Sequence, residues 1–386
     1  MIGHLRGWGL LALGLLALAL ARSGWAALAA DDAKNPSLIK PSTQRTLRLP
    51  ETPYRYSNLN LPAHFKTAGA RRFDNTPSSN PVTDAGATLG RVLFYDTRLS
   101  ANNTVACASC HHQKNAFTDP QRFSKGFEGK LTDRNAMGLA NVRYYPRGRF
   151  FWDERAATLE EQVLMPIQSK VEMGQNLTTL MKILEKDAHY PALFQKAFGE
   201  GAITKERVAR ALAQFLRSMV THQSKYDEGL AKAESVRDNF ETFTAEENRG
   251  KSLFLARCAT CHMPRGQAAH FIMNRPLNNG LDADFTKSDG GVGDITLAGG
   301  QVGLFKSPSL RNVELTAPYM HDGRFTTLEA VIDHYSKDVK VHPNLDRRLR
   351  RRGNFSVSQK AALVAFLKTL SDRNFITDPK FSDPFE

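Results

Sequence analysis

All four cysteines of the chain lie in two motifs of the form C-x-x-C-H, made of Cys107, Cys110 and His111 and of Cys258, Cys261 and His262. This spacing lets two thiols attach to the two vinyl groups of one haem, while the adjacent histidine ligates the iron. The two motifs therefore predict two covalently bound haem c groups, each with one histidine as an axial iron ligand.

The spacing of the cysteines alone also allows a single zinc site or a pair of disulfides. A zinc site built from four thiolates would not need a histidine after each pair. A redox-active disulfide within C-x-x-C is typical of a thioredoxin-like βαβ unit, and no such pattern surrounds either motif. Haem attachment accounts for both the cysteines and the histidines.

A similar segment precedes each motif. Gly90–Phe94 lies before the first motif and Gly250–Phe254 before the second, with glycine, a basic residue, leucine and phenylalanine in matching order. Each segment is typical of a helix that leads into a haem site, and Thr244 with Glu247 forms a capping box at the start of the second helix. The repeat predicts two related cytochrome c units.

Most other periodic segments are helical, and they are residues 156–165, 176–186, 204–220, 327–336 and 357–370. Ser356 with Gln359 caps the last of these. Residues 264–303 hold many Gly, Asp and Asn residues and predict a long irregular loop. We therefore expect a mostly α-helical fold with two cytochrome c-like haem domains, at residues 85–240 and 241–386.

The beginning of the chain has the composition of a secretory signal peptide. Arg6 supplies a positive region, an apolar run extends over residues 8–21, and Ala27-Leu28-Ala29 fits a cleavage signal. We expect a signal peptide at residues 1–29, cleaved near Ala29, and export to the periplasm. The alternative is an uncleaved anchor helix, for which the apolar run is short.

The remainder of the chain has no other apolar run of membrane-spanning length, so we expect no stable membrane anchor. Residues 30–84 are rich in Pro, Asn, Ser and Thr and predict an irregular N-terminal arm. The formal net charge is +13, but an exported protein is a poor candidate for a nucleic-acid partner. The basic run at 347–352 is typical of a solvated surface, or it suits an acidic protein partner.

Long motifs between and after the two attachment sites resemble the bacterial di-haem cytochrome c peroxidases, and within them the MauG-type enzymes. The resemblance covers roughly residues 85–372, and the motifs that carry it are Arg134-Asn135, Phe151–Ala156, Leu159–Gln162, Val171–Met173, Pro308–Val313 and Thr316–Gly323. It implies an N-terminal haem that reacts with peroxide, a C-terminal haem that transfers electrons, and a calcium ion between the domains.

The resemblance assigns three residues to the peroxide site. Glu172 matches the acid–base residue that moves a proton between the two peroxide oxygens, Gln162 matches its hydrogen-bonding partner, and Pro166 matches a residue that crowds the same pocket. Without the resemblance, Glu172 would be interpreted as an ordinary surface carboxylate in a loop before Gly174.

Two positions depart from the peroxidases proper. Phe127 stands in the segment 124–129 where the peroxidases carry a second histidine on the first haem, and phenylalanine cannot ligate iron. We therefore expect the first iron to have His111 below and an open face above. Tyr335 stands where the peroxidases carry the methionine ligand of the second haem, and the MauG-type enzymes have a tyrosine ligand there. Without the resemblance, Tyr335 would be interpreted as a core tyrosine. Its rivals as ligand are His334, Met320, Met273 and Met263. His334 points about 100° around the helix from Tyr335, and Met263 directly follows the proximal histidine, so neither can take its role.

Trp152 matches the tryptophan that lies between the two haems in the family, where an oxidisable indole lets electrons cross in two shorter steps. A large core residue is the alternative interpretation, and it is compatible with that role. Calcium ligands carry over as the Asn135 side chain and the backbone carbonyls of Thr316 and Pro318, and oxygen-only ligation suits Ca²⁺.

The resemblance implies a periplasmic di-haem peroxidase that reduces H₂O₂ with electrons from a small redox protein, a cytochrome c or a cupredoxin. The alternative is a MauG-like enzyme that uses oxidising equivalents from H₂O₂ to oxidise side chains of a partner protein, and Phe127 and Tyr335 favour it. A third hypothesis is a pure electron-transfer cytochrome with two six-coordinate irons, and Phe127 argues against it.

Overall fold

A computed structural model describes residues 41–263, 269–286, 288–350 and 353–386 of the chain. The expected signal peptide at 1–29, with its cleavage site near Ala29, lies outside these residues. The α-helices are α1 Ala63–Lys66, α2 Ala68–Arg71, α3 Asp84–Tyr95, α4 Leu159–Gln168, α5 Leu177–Glu185, α6 Tyr190–Phe198, α7 Lys205–Ser218, α8 Lys225–Lys232, α9 Ala245–Arg257, α10 Ala259–His262, α11 Val292–Thr296, α12 Leu328–Asp333 and α13 Val357–Lys368.

Shorter turns of helix connect them. The 3₁₀-helices are Ser42–Gln44, Thr97–Leu99, Cys107–Ser109, Gln113–Asn115, Val142–Tyr144, Gly299–Gln301, Val313–Leu315, Arg347–Leu349 and Pro379–Phe381, and a π-helix spans His334–Asp338. Extended pairing within the described ranges is limited to isolated bridges. The expectation of a mostly helical fold is therefore confirmed, and within these ranges no helix has the length and apolar character needed to cross a membrane.

Side-chain caps fix where the main helices begin. The capping boxes at Thr244 with Glu247 and at Ser356 with Gln359 are both present, as expected from the sequence. The segment 327–336 differs from the expectation of one α-helix, because α12 ends at Asp333 and the π-helix continues to Asp338. The wider turn of a π-helix changes the direction in which its side chains point relative to those of α12.

The repeated segments form two helix pairs of the same kind. Helix α3 packs against α7, and α9 packs against α13. At the crossing points stand Gly90 and Gly250, where a Cβ atom would overlap the carbonyl oxygens of Ala211 and Ala362, respectively. The glycine at the start of each repeated segment therefore lets two helix backbones approach each other closely.

Each helix pair lies within its own hydrophobic cluster. The first cluster includes Leu93, Phe94 and Phe215, and the second includes Phe254 and Phe366. Aromatic rings pack tilted or edge-on within both clusters, for example Phe94 on Phe215 at 5.4 Å and Phe254 on Phe366 at 4.9 Å between centroids. Such arrangements suit the charge distribution of aromatic faces and edges.

The described part of the N-terminal arm packs on the first cluster and contributes to a third. Its beginning pairs with the end of the chain, where the amide of Thr46 donates to the carbonyl of Glu386 at 2.8 Å. Farther on, Tyr56 Oη donates to the carbonyl of Lys380 at 2.6 Å, and Phe65 joins a third cluster with Tyr144. The arm thus binds to segments that are far from it in the sequence.

A buried ion cluster holds the middle of the arm. Arg311 donates to both carboxylate oxygens of Asp227, at 2.9 and 2.7 Å, and His64 Nε2 lies 2.8 Å from Asp227 Oδ1. Burial alone would raise the pKa of Asp227. The charge of Arg311 and the hydrogen bonds outweigh that effect and hold the pKa far below its usual range. The carboxylate therefore stays ionised and ties the arm to α8 and to the segment of Arg311.

We expect Gly90→Ala and Gly250→Ala to lower the resistance of the protein to urea. An alanine in a helix normally stabilises it by about 1 kcal/mol relative to glycine, but overpacking costs about 1–3 kcal/mol. Gly299→Ala is the control, because a Cβ there meets no atom within 4 Å. Unfolding midpoints followed by circular dichroism measure the effect, and midpoints at or above that of the unchanged protein would show that these helices do not pack so closely.

Candidate active site

The first attachment motif ends in a well-oriented histidine. Cys107 begins a 3₁₀-helix, and the chain turns back after His111 through left-handed backbone at Ala116 and Phe117. The turn places the carbonyl of Phe117 2.9 Å from His111 Nδ1. A carbonyl only accepts hydrogen bonds, so Nδ1 carries the proton and Nε2 is left as the iron-ligating atom. Burial lowers the pKa of His111, which favours the neutral, ligating form.

A cavity of about 640 Å³ opens beside this motif, within the range of small-molecule sites of roughly 300–1,000 Å³. Cys110 and His111 line it, and so do the residues that the sequence assigns to peroxide chemistry, Gln162, Pro166 and Glu172. Gln162 and Pro166 lie on α4, and Glu172 lies in the loop that follows it. The structure therefore brings these side chains together with the attachment motif, and the residues present fit a covalently bound haem.

Glu172 is largely enclosed. Its backbone amide donates to Ser169 Oγ at 3.3 Å. Burial raises the pKa of the Glu172 carboxyl, against the opposing effects of a hydrogen bond from Ser169 and the charge of Arg155. Arg155 lines the same cavity and is held by Asp153 and by the ring of Phe151, whose centroid is 3.6 Å away. The sequence had not marked Arg155 as a site residue, although it belongs to the Phe151–Ala156 motif.

Phe127 lies next to the Glu172 loop. Its amide donates to the carbonyl of Glu172 at 2.9 Å, and its ring packs where a Cβ on Gly174 would overlap it. Among the described residues that line the cavity, His111 is the one histidine. Met137 also lines it, and its backbone interacts with the His111 ring.

The second attachment motif lines another cavity, of about 220 Å³. Cys258, Cys261 and His262 come from the end of α9 and from α10, and Tyr335 and Met320 face the same space. Asn279 Nδ2 lies 3.3 Å from Tyr335 Oη and 3.5 Å from Met320 Sδ. A thiol pair, an imidazole and a phenol around one largely apolar cavity also fit a covalently bound haem.

The structure separates the competing ligand candidates of this second cavity. His334 Nε2 lies 3.0 Å from the carbonyl oxygen of Asn279, and His334 does not line the cavity. Met263 and Met273 are buried elsewhere. Tyr335 and Met320 are the two candidates of the sequence that reach the space beside His262.

Trp152 lines both cavities. Its Nε1 donates to the carbonyl of Asn135 at 2.9 Å, and its ring meets His321 edge-on at 6.5 Å. The indole is therefore a part of the wall that separates the two attachment sites. Lys306 lines both cavities as well, although the sequence offered no signal for it beyond its place just before the Pro308–Val313 motif.

The three residues expected to bind calcium line the same cavity. Asn135, Thr316 and Pro318 line the second cavity, and the amide of Asn135 donates to the carbonyl of His321 at 2.8 Å. Asn135 Nδ2 donates to the carbonyls of Gln121 and Arg122 at 3.1 and 3.2 Å. These bonds orient the side-chain amide and leave its oxygen as the atom that can bind a cation.

Both halves of the chain match known protein families. Residues 84–235 match the family described as di-haem cytochrome c peroxidase, and residues 247–371 match cytochrome c. The MauG methylamine utilization protein of Methylophilus methylotrophus is 32% identical over 328 residues, which are 81% of this chain and 89% of that protein. The cytochrome c551 peroxidase of Nitrosomonas europaea is 30% identical over 322 residues, with the same coverage of both chains.

Solved structures agree with this. A MauG-like protein associated with microbial copper homeostasis is 34% identical, with a TM-score of 0.73 over 85% of this chain and 99% of that one. The di-haem peroxidase BthA of Burkholderia thailandensis shares the fold, with a TM-score of 0.61 at 23% identity over 79% of this chain and 91% of that one. The resemblance inferred from the motifs is thus confirmed, and the chain belongs to the family of di-haem cytochrome c peroxidases and MauG proteins, as a di-haem peroxidase.

Proposed function

We propose that hydrogen peroxide is bound and cleaved in the cavity of His111, and that oxidising equivalents pass through Trp152 to the cavity of His262. The observation that carries this proposal is that Trp152 lines both cavities. Glu172 and Gln162 face the same space as His111, while Trp152 borders that space and the second cavity together. In this proposal residues 85–240 form the peroxide-reactive haem domain and residues 241–386 the electron-transfer haem domain.

Haem, when bound, supplies the iron whose redox chemistry breaks the O–O bond. The contribution of Glu172 is to accept a proton from one peroxide oxygen and to return it to the other. A residue with this task works best when its pKa lies near the working pH. Burial raises the pKa of Glu172 in that direction.

Gln162 and Pro166 shape the space around the peroxide. Gln162 and Pro166 lie in the same helix, and both line the cavity. The side-chain amide of Gln162 has donor and acceptor atoms. Gln162 would hold the peroxide by a hydrogen bond, and the rigid ring of Pro166 would limit the room for other ligands. With Phe127 turned toward Gly174, the distal face of the first haem would be open at rest.

Calcium would bind at Asn135, Thr316 and Pro318. The side-chain oxygen of Asn135 and two backbone carbonyls are hard oxygen ligands of the kind that Ca²⁺ takes, with waters completing the shell. Because Asn135 also accepts the hydrogen bond of Trp152 on its carbonyl, an ion there would stiffen the wall between the two haems.

In the main proposal, a small redox protein such as a cytochrome c or a cupredoxin returns the electrons. A second function, oxidation of side chains in a partner protein, is favoured by Tyr335 beside the second attachment motif and by the MauG relatives. A phenolate is a harder, anionic ligand than a thioether and favours high oxidation states, whereas methionine raises the potential. The leader at residues 1–29 would direct either enzyme to the periplasm.

We expect the fully oxidised protein to react rapidly with stoichiometric H₂O₂, without prior reduction, because His111 is the one histidine among the described residues that line the first cavity. Stopped-flow optical spectra and freeze-quenched EPR spectra follow the reaction. A reaction that begins only after one haem has been reduced would show that a sixth ligand closes the site at rest. The open-site proposal would then be wrong, and the protein would be a reductively activated peroxidase.

We expect Glu172→Gln to bind peroxide but to cleave it about 10²–10⁴-fold more slowly, the usual contribution of a general acid–base residue. The amide keeps the shape of the side chain and loses the transferable proton. Glu185→Gln, at an exposed position of α5 outside both cavities, is the matched control and should leave the rate unchanged. Single-turnover rates measure the effect, and a full rate in Glu172→Gln would remove Glu172 from the mechanism.

We expect Tyr335→Phe to remove a ligand of the second haem and to turn its spectrum high-spin. Tyr319→Phe is the control, because Tyr319 lines the same cavity while its hydroxyl donates to the carbonyl of Val313 at 2.9 Å. Optical and EPR spectra of the oxidised variants provide the measurement. A low-spin spectrum that persists in Tyr335→Phe and disappears in Met320→Leu would identify Met320 as the ligand instead.

A further inference from the structure

Lys306 is a buried cation in the wall between the two cavities. Its side chain is almost fully enclosed, with the residue 6% exposed, and it lines both cavities. Its backbone amide donates to the carbonyl of Trp152 at 2.7 Å. The main chain of Lys306 is thereby fixed to the indole-bearing residue, and the side chain extends along the same wall.

The surroundings of the ammonium group are mostly aromatic. Nζ lies 4.5 Å from the ring centroid of Tyr145 and 5.1 Å from that of Phe150. Ring faces attract a cation, but they replace only a part of the hydration that burial removes. In the described part of the chain the ammonium of Lys306 makes no hydrogen bond or ion pair, so its remaining face is turned to the cavities.

The carboxylate whose charge acts on Lys306 is already engaged. The charge of Glu154 favours the ammonium form of Lys306, but the Glu154 carboxylate accepts hydrogen bonds from Tyr145 Oη and from Arg147 Nε, the latter at 2.9 and 3.1 Å. Burial lowers the pKa of Lys306 to about 8, which still leaves the group mainly charged at neutral pH. An enclosed ammonium without an anion of its own is unfavourable, so the site favours an anion that enters from the cavities.

We propose that the ammonium group of Lys306 binds a haem propionate, so that a lysine–carboxylate pair lies beside Trp152 between the two haems. The anion is a carboxylate because each haem carries two propionates and because the cavities that Lys306 lines are the ones that contain the attachment motifs. The inference rests on the proposed placement of the haems in these two cavities, but it does not depend on the reaction with peroxide.

The pair has an electrostatic consequence. A fixed positive charge at a propionate favours the reduced haem, which carries one positive charge fewer, and raises its reduction potential. The same charge also disfavours a cationic indole at Trp152. Lys306 would in this way set the potentials of the groups in the proposed electron transfer.

We expect Lys306→Met, which keeps the approximate volume and removes the charge, to lower the potential of at least one haem. A tenfold shift of the ratio of oxidised to reduced haem at a fixed applied potential corresponds to about 59 mV for one electron. Spectroelectrochemical titration of the di-haem protein without peroxide measures this directly. Lys306→Arg, which restores a cation, should return the potential toward that of the unchanged protein.

Lys251→Met is the matched control. Lys251 is also buried, its Nζ donates to the carbonyl of Val236 at 2.8 Å and lies 3.7 Å from the ring centroid of Phe240, and it lines neither cavity. Both potentials should stay unchanged in this variant. Unchanged potentials in Lys306→Met, at full haem content, would overturn the proposal.

Two further results would also overturn it. Should added chloride or phosphate shift the potential of the unchanged protein as much as Lys306→Met does, a free anion and not a propionate would occupy the site. A measurement that needs no variant is the resonance Raman spectrum of the unchanged protein, in which a hydrogen-bonded propionate shifts its bending mode on transfer to D₂O. Propionate modes that do not respond would show that no ammonium donates to them, even if the methionine variant failed to fold.

Discussion

The hydrogen bond from Trp152 Nε1 to the carbonyl of Asn135 fixes the wall that the two haem sites share. It orients the indole edge-on to His321 and so keeps one aromatic ring in contact with both cavities. The backbone amide of Lys306 donates to the carbonyl of Trp152 as well. In the proposed function, electron transfer between two haems depends on their separation and on what lies between them, so both halves would depend on this one wall.

Charged side chains hold the wall from segments that are far apart in the sequence. Arg134 binds Asp153 and Asp289 together, and Arg155 shares Asp153. The stacked rings of Phe305 and His321, 3.8 Å apart, lie against this network. Buried ion pairs contribute little net stability because desolvation opposes the attraction. Their contribution here is to restrict geometry, since each pair forms only when the segment that carries Trp152 lies in a narrow range of positions.

The two halves of the chain share one mode of helix packing. Each attachment motif is preceded by a helix whose glycine lies against a carbonyl of a partner helix, and in each half phenylalanines close the contact. Backbone-to-backbone approach leaves little freedom for the helix to slide. A rigid helix pair thus stands behind each covalently attached haem, which suits a site whose geometry must not change between oxidation states.

The sequence by itself determined the local features: the two attachment motifs, the capped helices and the candidates Glu172, Gln162, Trp152 and Tyr335. These follow from residue types and spacings within a few turns of chain, or from long motifs that match a family. Only the tertiary structure decided that Tyr335 and Met320 line the second cavity while Met273 does not, and that Lys306 is buried between the two sites. The physical reason is that burial depends on segments that are distant in the sequence, which no local pattern encodes. Burial in turn sets the desolvation cost of the Lys306 charge and raises the pKa of Glu172.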